Sequence, residues 1–378
     1  MHNKKIIFCI NSLESGGAER VVSILSNYFS KKNNVYIITI TKNEIKYDLN
    51  SKIDVLTLSK KKNKIKNKFI NKCTLLPKFI IRTLKMKNIL KKIDADVIIS
   101  FLPEASFISL LANKKHTKII ISDRNDPKIE YKSKIYNSFF HKLYPKADGF
   151  VFQTDDAKKY FENNLSNINK KKREIIFNPV NEKFIRKQKE SKIEKKIVSV
   201  GRLTEQKNFN LLIDSFYELN KKLPNYKLII YGEGNLRKIL ETKINKLNLE
   251  GKIELPGVVP DIEQKISNSS LFVMTSNYEG MPNALIEAMC LGLPVISSNC
   301  PCGGPKMLIN NEENGYLFEV GNVKELTSKM YKLLSDDNIS DRFRLNSKKI
   351  IELVHPDIIN KKWGNFIEEI VGVEKNVK

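Results

Sequence analysis

Leu271–Met289 reads LFVMTSNYEGMPNALIEAM. The apolar run Leu271–Thr275 has the length and composition of a short buried strand. Gly280 and Pro282 then break the chain direction, and helical spacing begins at about Asn283. A strand, a turn and a helix in this order form the repeating unit of a parallel sheet covered on both faces. The same unit recurs outward in both directions. Ile197–Gly201, Lys227–Gly232 and Lys252–Pro256 precede it as strands, and Pro294–Ser298 follows. Farther upstream, Lys4–Ile10 leads through a glycine pair into an amphipathic stretch, Ala18–Phe29. Val35–Thr41, Asp96–Phe101, Lys118–Ser122 and Gly149–Thr154 continue that series. The alternation pauses over Asn178–Lys196, which holds Pro179 and the apolar-poor run Arg186–Lys196. The expected class is α/β, with two doubly wound domains: residues 1–181, a linker over 182–195, and residues 196–355. A C-terminal helix over 356–378 could cross back to the first domain. Ligands of such sheets bind beyond the carboxyl ends of the strands, so a cleft between two facing domains is the expected site.

The composition fits that reading. At 378 residues, 41% apolar and 9% aromatic, the chain can fill two cores and is not a disordered, collagenous or disulfide-scaffold protein. Its longest apolar candidate, Val97–Leu111, is interrupted by Pro103 and Glu104, so no membrane span is expected. The N-terminal apolar stretch stops at Ile10, short of a signal peptide. Five scattered cysteines make an odd number, Cys300 and Cys302 are too close for metal ligation, and the four histidines do not cluster. The expectation is a reduced, cytoplasmic protein without a metal. The net charge is +24, of which residues 1–180 hold +20. A lysine-rich, AT-biased genome accounts for part of this, but it would load both halves. The one-sided field points to a polyanionic or membrane-surface partner.

Three segments can carry chemistry. In Asn11–Arg20 (NSLESGGAER), Gly16 and Gly17 allow close backbone approach where a helix N-terminus offers N–H groups to an anion, although glycines often serve only to turn. In Gly201–Asn208 (GRLTEQKN), Arg202 and Lys207 sit just after a strand, where a phosphate-bearing ligand would lie. Among 66 cations two solvated ones are commonplace, so position is what favours a role. In Tyr278–Met289, Glu279 lies in the loop and Glu287 in the helix. The N–H groups of Asn283, Ala284 and Leu285 are first-turn donors between them. Two carboxylates bracketing an anion site suit a sugar on one side of a pyrophosphate and a ribose on the other. Glu287's neighbours Ala284, Ile286, Ala288 and Met289 argue against a merely exposed helix charge. Two rival motifs are weaker. Gly232-Glu-Gly234 resembles a dinucleotide fingerprint but has Arg237 where a third glycine belongs. Asp94-Ala-Asp96 resembles a metal-binding pair but precedes its strand.

GGAER, GRLTEQKN, YGEG, LPGVVPD, EGMPNALIEAMCLGLPVIS and ENGYLF, in this order and spacing, resemble family 4 of the retaining glycosyltransferases. Members have two Rossmann-like domains facing a cleft (the GT-B fold). The resemblance implies a nucleotide-diphospho-sugar donor, with Arg202 and Lys207 on the pyrophosphate and Glu279 on the transferred sugar. Glu287 would bind the ribose, the backbone of Gly257–Val259 would meet the base, and Gly16 and Gly17 would close over the phosphates. Arg124, in the loop SDRNDP, stands where many relatives have a histidine, and the resemblance puts it on the acceptor side. GGAER, SDRNDP and CPCGGP look most like bacterial enzymes that build capsule or O-antigen glycans on polyprenyl-pyrophosphate lipids. The implied donor is a UDP-sugar, a hexose or N-acetylhexosamine, used without metal or other cofactor. The implied location is the inner face of the cell membrane, as a peripheral protein. The basic segment Lys60–Lys92 holds 13 Lys/Arg and no acid. From Pro77 it reads as a helix with Lys78, Arg82 and Lys85 on one face. Leu76, Phe79, Ile80, Leu84 and Ile89 lie on another. Such a helix suits an anionic leaflet, and by resemblance it would grip the acceptor's pyrophosphate. A glycosyltransferase with a non-lipid acceptor is the alternative. Nucleic-acid binding is disfavoured, because the cations are not interleaved with aromatic residues.

Overall fold

The computed structural model describes residues 2–14, 16–42, 44–59, 75–113, 116–186 and 192–372. The chain forms two compact units, one made of Met1–Pro179 with Ile359–Lys378 and the other of Val180–Ile358.

In the first unit the strands are β1 (Lys5–Ile10), β2 (Asn34–Thr41), β3 (Asp54–Ser59), β4 (Val97–Phe101), β5 (Lys118–Ser122), β6 (Gly149–Phe152) and β7 (Lys172–Ile175). They form one parallel sheet in the order β3-β2-β1-β4-β5-β6-β7, with Phe8 opposite both Ile37 and Ile99. β4 is buried along its whole length, as a central strand covered on both faces must be. The core joins Phe8, Phe29 and Phe101 to Trp363, Phe366 and Ile367 of the helix Pro356–Val371. The last helix of the chain therefore completes the core of the first unit.

In the second unit the strands are β8 (Glu194–Val200), β9 (Lys227–Tyr231), β10 (Ile253–Gly257), β11 (Ser269–Met274), β12 (Val295–Ser298) and β13 (Tyr316–Phe318). Their order is β10-β9-β8-β11-β12-β13, again parallel. Leu212, Phe216 and Leu219 of the helix Phe209–Asn220 share its core with Leu326, Met330 and Leu333. In each sheet the strand order reverses direction once, between β1 and β4 and between β8 and β11. A crevice opens beyond the strand ends at such a point. Residues 11–14 and 16–17 follow β1, 201–208 follow β8 and 275–282 follow β11, so the described parts of the three segments singled out for chemistry lie there.

The strands β3, β7 and β13 were not expected from the sequence. The linker expected over 182–195 also differs. Val180 N–H donates to Val354 O at 3.1 Å and Phe184 is buried, so residues 180–184 are part of the second unit, and β8 already begins at Glu194. Residues 187–191 of the expected linker and 373–378 of the terminal segment lie outside the described residues.

Candidate functional site

The site in the second unit is built from two laced loops. Thr275 Oγ1 donates to the carbonyls of Lys207 (2.9 Å) and Asn208 (3.1 Å). Asn277 N–H donates to Gln206 O at 2.8 Å, and Asn277 Nδ2 donates to Glu205 O at 2.8 Å. Gln206 Nε2 in turn donates to Tyr278 O at 3.1 Å. These bonds fix the loop after β8 against the loop after β11. Lys207 Nζ thereby lies 2.5 Å from Glu279 Oε1, and Ser276 Oγ donates to the same oxygen at 2.8 Å. Lys207, expected on the pyrophosphate, is paired with Glu279 in this structure. Arg202 is exposed and has no ion-pair partner among the described residues.

A third loop backs Glu279. Its N–H donates to Pro301 O at 2.6 Å and its carbonyl accepts from Cys302 N–H at 2.8 Å. The two loops approach so closely that a Cβ on Gly304 would lie 1.7 Å from Gly280 O. Burial, with Glu279's charge second, pushes the Cys300 thiol up to about 12, so it stays neutral beside the site. Pro282 precedes the helix Asn283–Cys290, on which Glu287 is 6% exposed, against 7% for Glu279 in the loop. Asn283 and Ala284 are half-buried at its start, whereas Leu285 N–H donates to Pro282 O at 3.2 Å and Leu285 is fully buried. Leu285 is therefore not the anion donor expected. Val259 is half-buried just past Gly257, whose carbonyl accepts Gly232 N–H at 2.8 Å.

The rival motifs resolve as structure. Arg237 pairs with Glu233 (2.5 Å) and Glu241 (3.1 Å). Asp96 accepts Lys5 N–H at 2.7 Å, and Asp94 pairs with His116 at 2.9 Å, so both aspartates hold the turn before β4. Among the described residues, no group of three or more His, Cys, Asp or Glu is placed to hold a metal ion.

The remaining expected site residues belong to the first unit. Gly16 caps the helix Gly17–Phe29 in an extended conformation. Its N–H donates to Tyr47 Oη at 2.9 Å and its carbonyl accepts from the same hydroxyl at 2.8 Å. Tyr47 thus occupies the Gly16 N–H expected to meet phosphate, while Gly17 begins the helix.

Arg124 follows β5 in the first unit. It is buried, with its guanidinium 4.6 Å from the Phe101 ring centroid and 5.8 Å from that of Trp363, and Nη1 donates to Asn178 Oδ1 at 2.8 Å. Burial lowers its pKa to about 9, against the pull of Asp123, and Nε and Nη2 have no hydrogen-bond partner among the described residues. The Asp123 carboxyl is pushed up to about 7 by burial, partly offset by the Tyr131 and Tyr144 hydroxyls bonded to it. Arg124, expected on the acceptor side, ties the returning helix to the sheet in this structure.

The basic helix spans Leu75–Ile93, and residues 60–74 of the basic segment lie outside the described residues. Lys78, Arg82 and Lys85 do not form one solvated face. Arg82 is 5% exposed, with Nη1 2.5 Å from Glu104 Oε1 and with Nε and Nη2 donating to Ser59 Oγ at 3.3 and 3.2 Å. Lys78 is half-buried and Lys85 exposed. Phe79 turns inward to Phe139, ring centroids 5.6 Å apart. The outward face is apolar: Leu76 is 64% exposed, Ile80 50%, Ile81 53% and Leu84 56%. Among the described residues, no helix is long and apolar enough to cross a membrane.

The comparisons with known proteins agree with this architecture. Residues 15–184 match the family described as Glycosyltransferase Family 4, and residues 180–350 match Glycosyl transferases group 1. The "N-acetylgalactosamine-N,N'-diacetylbacillosaminyl-diphospho-undecaprenol 4-alpha-N-acetylgalactosaminyltransferase" of Campylobacter jejuni is 31% identical, over 91% of this chain and 94% of its own. A second C. jejuni enzyme, the "GalNAc-alpha-(1->4)-GalNAc-alpha-(1->3)-diNAcBac-PP-undecaprenol alpha-1,4-N-acetyl-D-galactosaminyltransferase", is 29% identical, over 97% of this chain and 99% of its own. HepE of Anabaena, solved in complex with UDP, superposes with a TM-score of 0.76 at 17% identity, covering 97% of this chain and 100% of its own. That likeness shows the GT-B fold. Two parallel Rossmann-like sheets, matches to both family profiles and close full-length relatives lead to one conclusion: the chain is a family 4 glycosyltransferase.

Proposed function

We propose that the protein is a retaining glycosyltransferase that moves a hexosyl or N-acetylhexosaminyl group from a UDP-sugar to a polyprenyl-diphosphate-linked glycan. It would act at the inner face of the cell membrane, in assembly of a bacterial surface polysaccharide. The observation that carries the reading is the Lys207–Glu279 pair beside the helix Asn283–Cys290, with Arg202 on the same post-β8 loop, at the point where the strand order reverses. The undecaprenol-linked substrates named for both C. jejuni relatives and the UDP in HepE support the acceptor and donor classes.

In this mechanism the anomeric carbon–oxygen bond to the diphosphate breaks while the acceptor oxygen bonds to the same face. The acceptor proton passes to the departing phosphate oxygen. Glu279 is a poor candidate for the nucleophile of a double displacement, because Lys207 and Ser276 both hold its Oε1. Arg202, Lys207 and the start of the Asn283–Cys290 helix would stabilise charge growing on the leaving group. Those groups would also let the reaction proceed without a divalent ion. A hydrolysis screen of UDP- and GDP-sugars without acceptor tests both points. Turnover of a UDP-sugar that persists in excess EDTA is expected. Turnover only of GDP-sugars would reject the donor class, and loss in EDTA restored by Mg²⁺ or Mn²⁺ would reject metal independence.

The membrane contact would be made by the helix Leu75–Ile93. Leu76, Ile80 and Leu84 form an outward stripe at i, i+4 and i+8, with Lys85, Lys87, Lys91 and Lys92 exposed on the same helix. An apolar stripe beside cations in the half that carries +20 fits the surface of an anionic bilayer. Changing Leu76, Ile80 and Leu84 together to Ser should weaken binding to phosphatidylglycerol vesicles at least about ten-fold, since burying one such side chain contributes about 1.5–3 kcal/mol. Part of that loss should remain in high salt, where lysine contacts are screened. Unchanged co-sedimentation of the triple variant would reject this surface.

A further inference from the structure

Two donors converge on one oxygen of Glu279, and they differ in kind. Lys207 reaches Oε1 with a long, flexible side chain. Ser276 reaches it from a fully buried position, and its carbonyl accepts from Ser298 Oγ at 2.6 Å, so the ends of β11 and β12 fix it. The main chain of Glu279 is fixed as well, by Pro301 and Cys302. Lys207 is therefore the mobile member of this set. It is also the cation that a diphosphate would attract. Those two duties conflict, because an ammonium drawn to phosphate gives up its hold on Oε1. A nearly buried carboxylate left without a donor is costly and loses its orientation.

We propose that Ser276 is the positioning residue that keeps Glu279 oriented while Lys207 is drawn to the donor's diphosphate. The inference rests on the reading that Glu279 faces the transferred sugar. The Ser276 hydroxyl holds Oε1 before and after Lys207 moves. Oε2, which has no hydrogen-bond partner among the described residues, is then left to accept from a sugar hydroxyl. The exchange involves no covalent change, only the transfer of an ammonium from a carboxylate to a phosphate.

The experiment compares Ser276→Ala, Ser276→Cys and Glu279→Gln for turnover of the preferred UDP-sugar, affinity for UDP alone, and thermal unfolding. Ser276→Ala should lower kcat about 10–100-fold, the worth of a hydrogen bond to a charged group. UDP affinity should change by less than about 3-fold, because UDP has no sugar for Glu279 to face. Ser276→Cys keeps the size and a weak donor, so its loss should be intermediate. Unchanged kcat in Ser276→Ala, together with a crippled Glu279→Gln, would overturn the role of Ser276 alone. Unchanged kcat in Glu279→Gln would overturn the underlying reading of the site. Parallel losses of kcat, UDP affinity and melting temperature in both serine variants would make Ser276 a structural residue and also overturn the proposal.

Discussion

Turnover should fall about 10²–10³-fold when Glu279 is replaced by alanine, on the scale of losing one preorganised polar contact to the reacting centre. The carboxylate is nearly buried, and Lys207 and Ser276 hold it on one oxygen, so its placement is fixed before any sugar arrives. Removing it deletes a contact aimed at the donor and also frees Lys207. Glu279→Gln separates the two effects, since the amide fills the same volume and can still accept from Ser276. Glu287→Ala should cause a comparable loss through the ribose end of the donor. In each case melting temperature should stay within a few degrees of the parent, because neither carboxylate belongs to the apolar core. Near-parental kcat at saturating donor in either alanine variant would remove that residue from the site.

Gly232→Ala should produce the largest loss of stability. Gly232 has a φ of +138°, and a Cβ there would lie 1.9 Å from Gly201 O. A side chain would strain its own backbone and push on the strand end that presents Arg202. Strain of about 1–3 kcal/mol and overpacking of about 1–3 kcal/mol together predict a loss of about 2–6 kcal/mol. At about 2–4 °C per kcal/mol for a unit of this size, melting should drop on the order of 10 °C. A melting temperature within 2 °C of the parent, by the same scale, would show that the two strand ends can part cheaply. The glycine that imitated a dinucleotide fingerprint is required by packing.

How much of this was legible in the sequence depended on where each residue sits. Interior strands such as β4 and β11 are buried throughout, and their mostly apolar runs announced them. The strands β3, β7 and β13 are sheet edges. β3 and β7 are only partly covered, so DVLTLS and KREI carry mixed polarity, while YLF is too short to stand out. The placement of Glu279 and of the cations after β8 just beyond strand ends was readable from the strand–loop–helix pattern. The pairing of Lys207 with Glu279 spans 72 residues and leaves no local trace. Ser276 looks like any loop serine until Ser298 is seen behind it. Arg82 was misread because helical spacing specifies which residues share a face. It does not specify that a guanidinium will turn inward to Glu104 and Ser59 and leave leucine and isoleucine outside.

The placement of Trp363 orders the birth of the molecule. Ribosomes make Met1–Pro179 first, yet the hydrophobic centre of that unit lacks Ile359, Trp363, Phe366 and Ile367 until the last stretch has been translated. At about 5–20 residues per second, the 179 residues of Val180–Ile358 delay completion by roughly 9–36 s. Val180–Ile358 is continuous and needs no returning segment, whereas the older half waits with Phe101 and Arg124 uncovered. A released chain truncated after Ile358 should therefore be protease-resistant in its second half and cleavable in its first, the reverse of the usual order along a growing polypeptide.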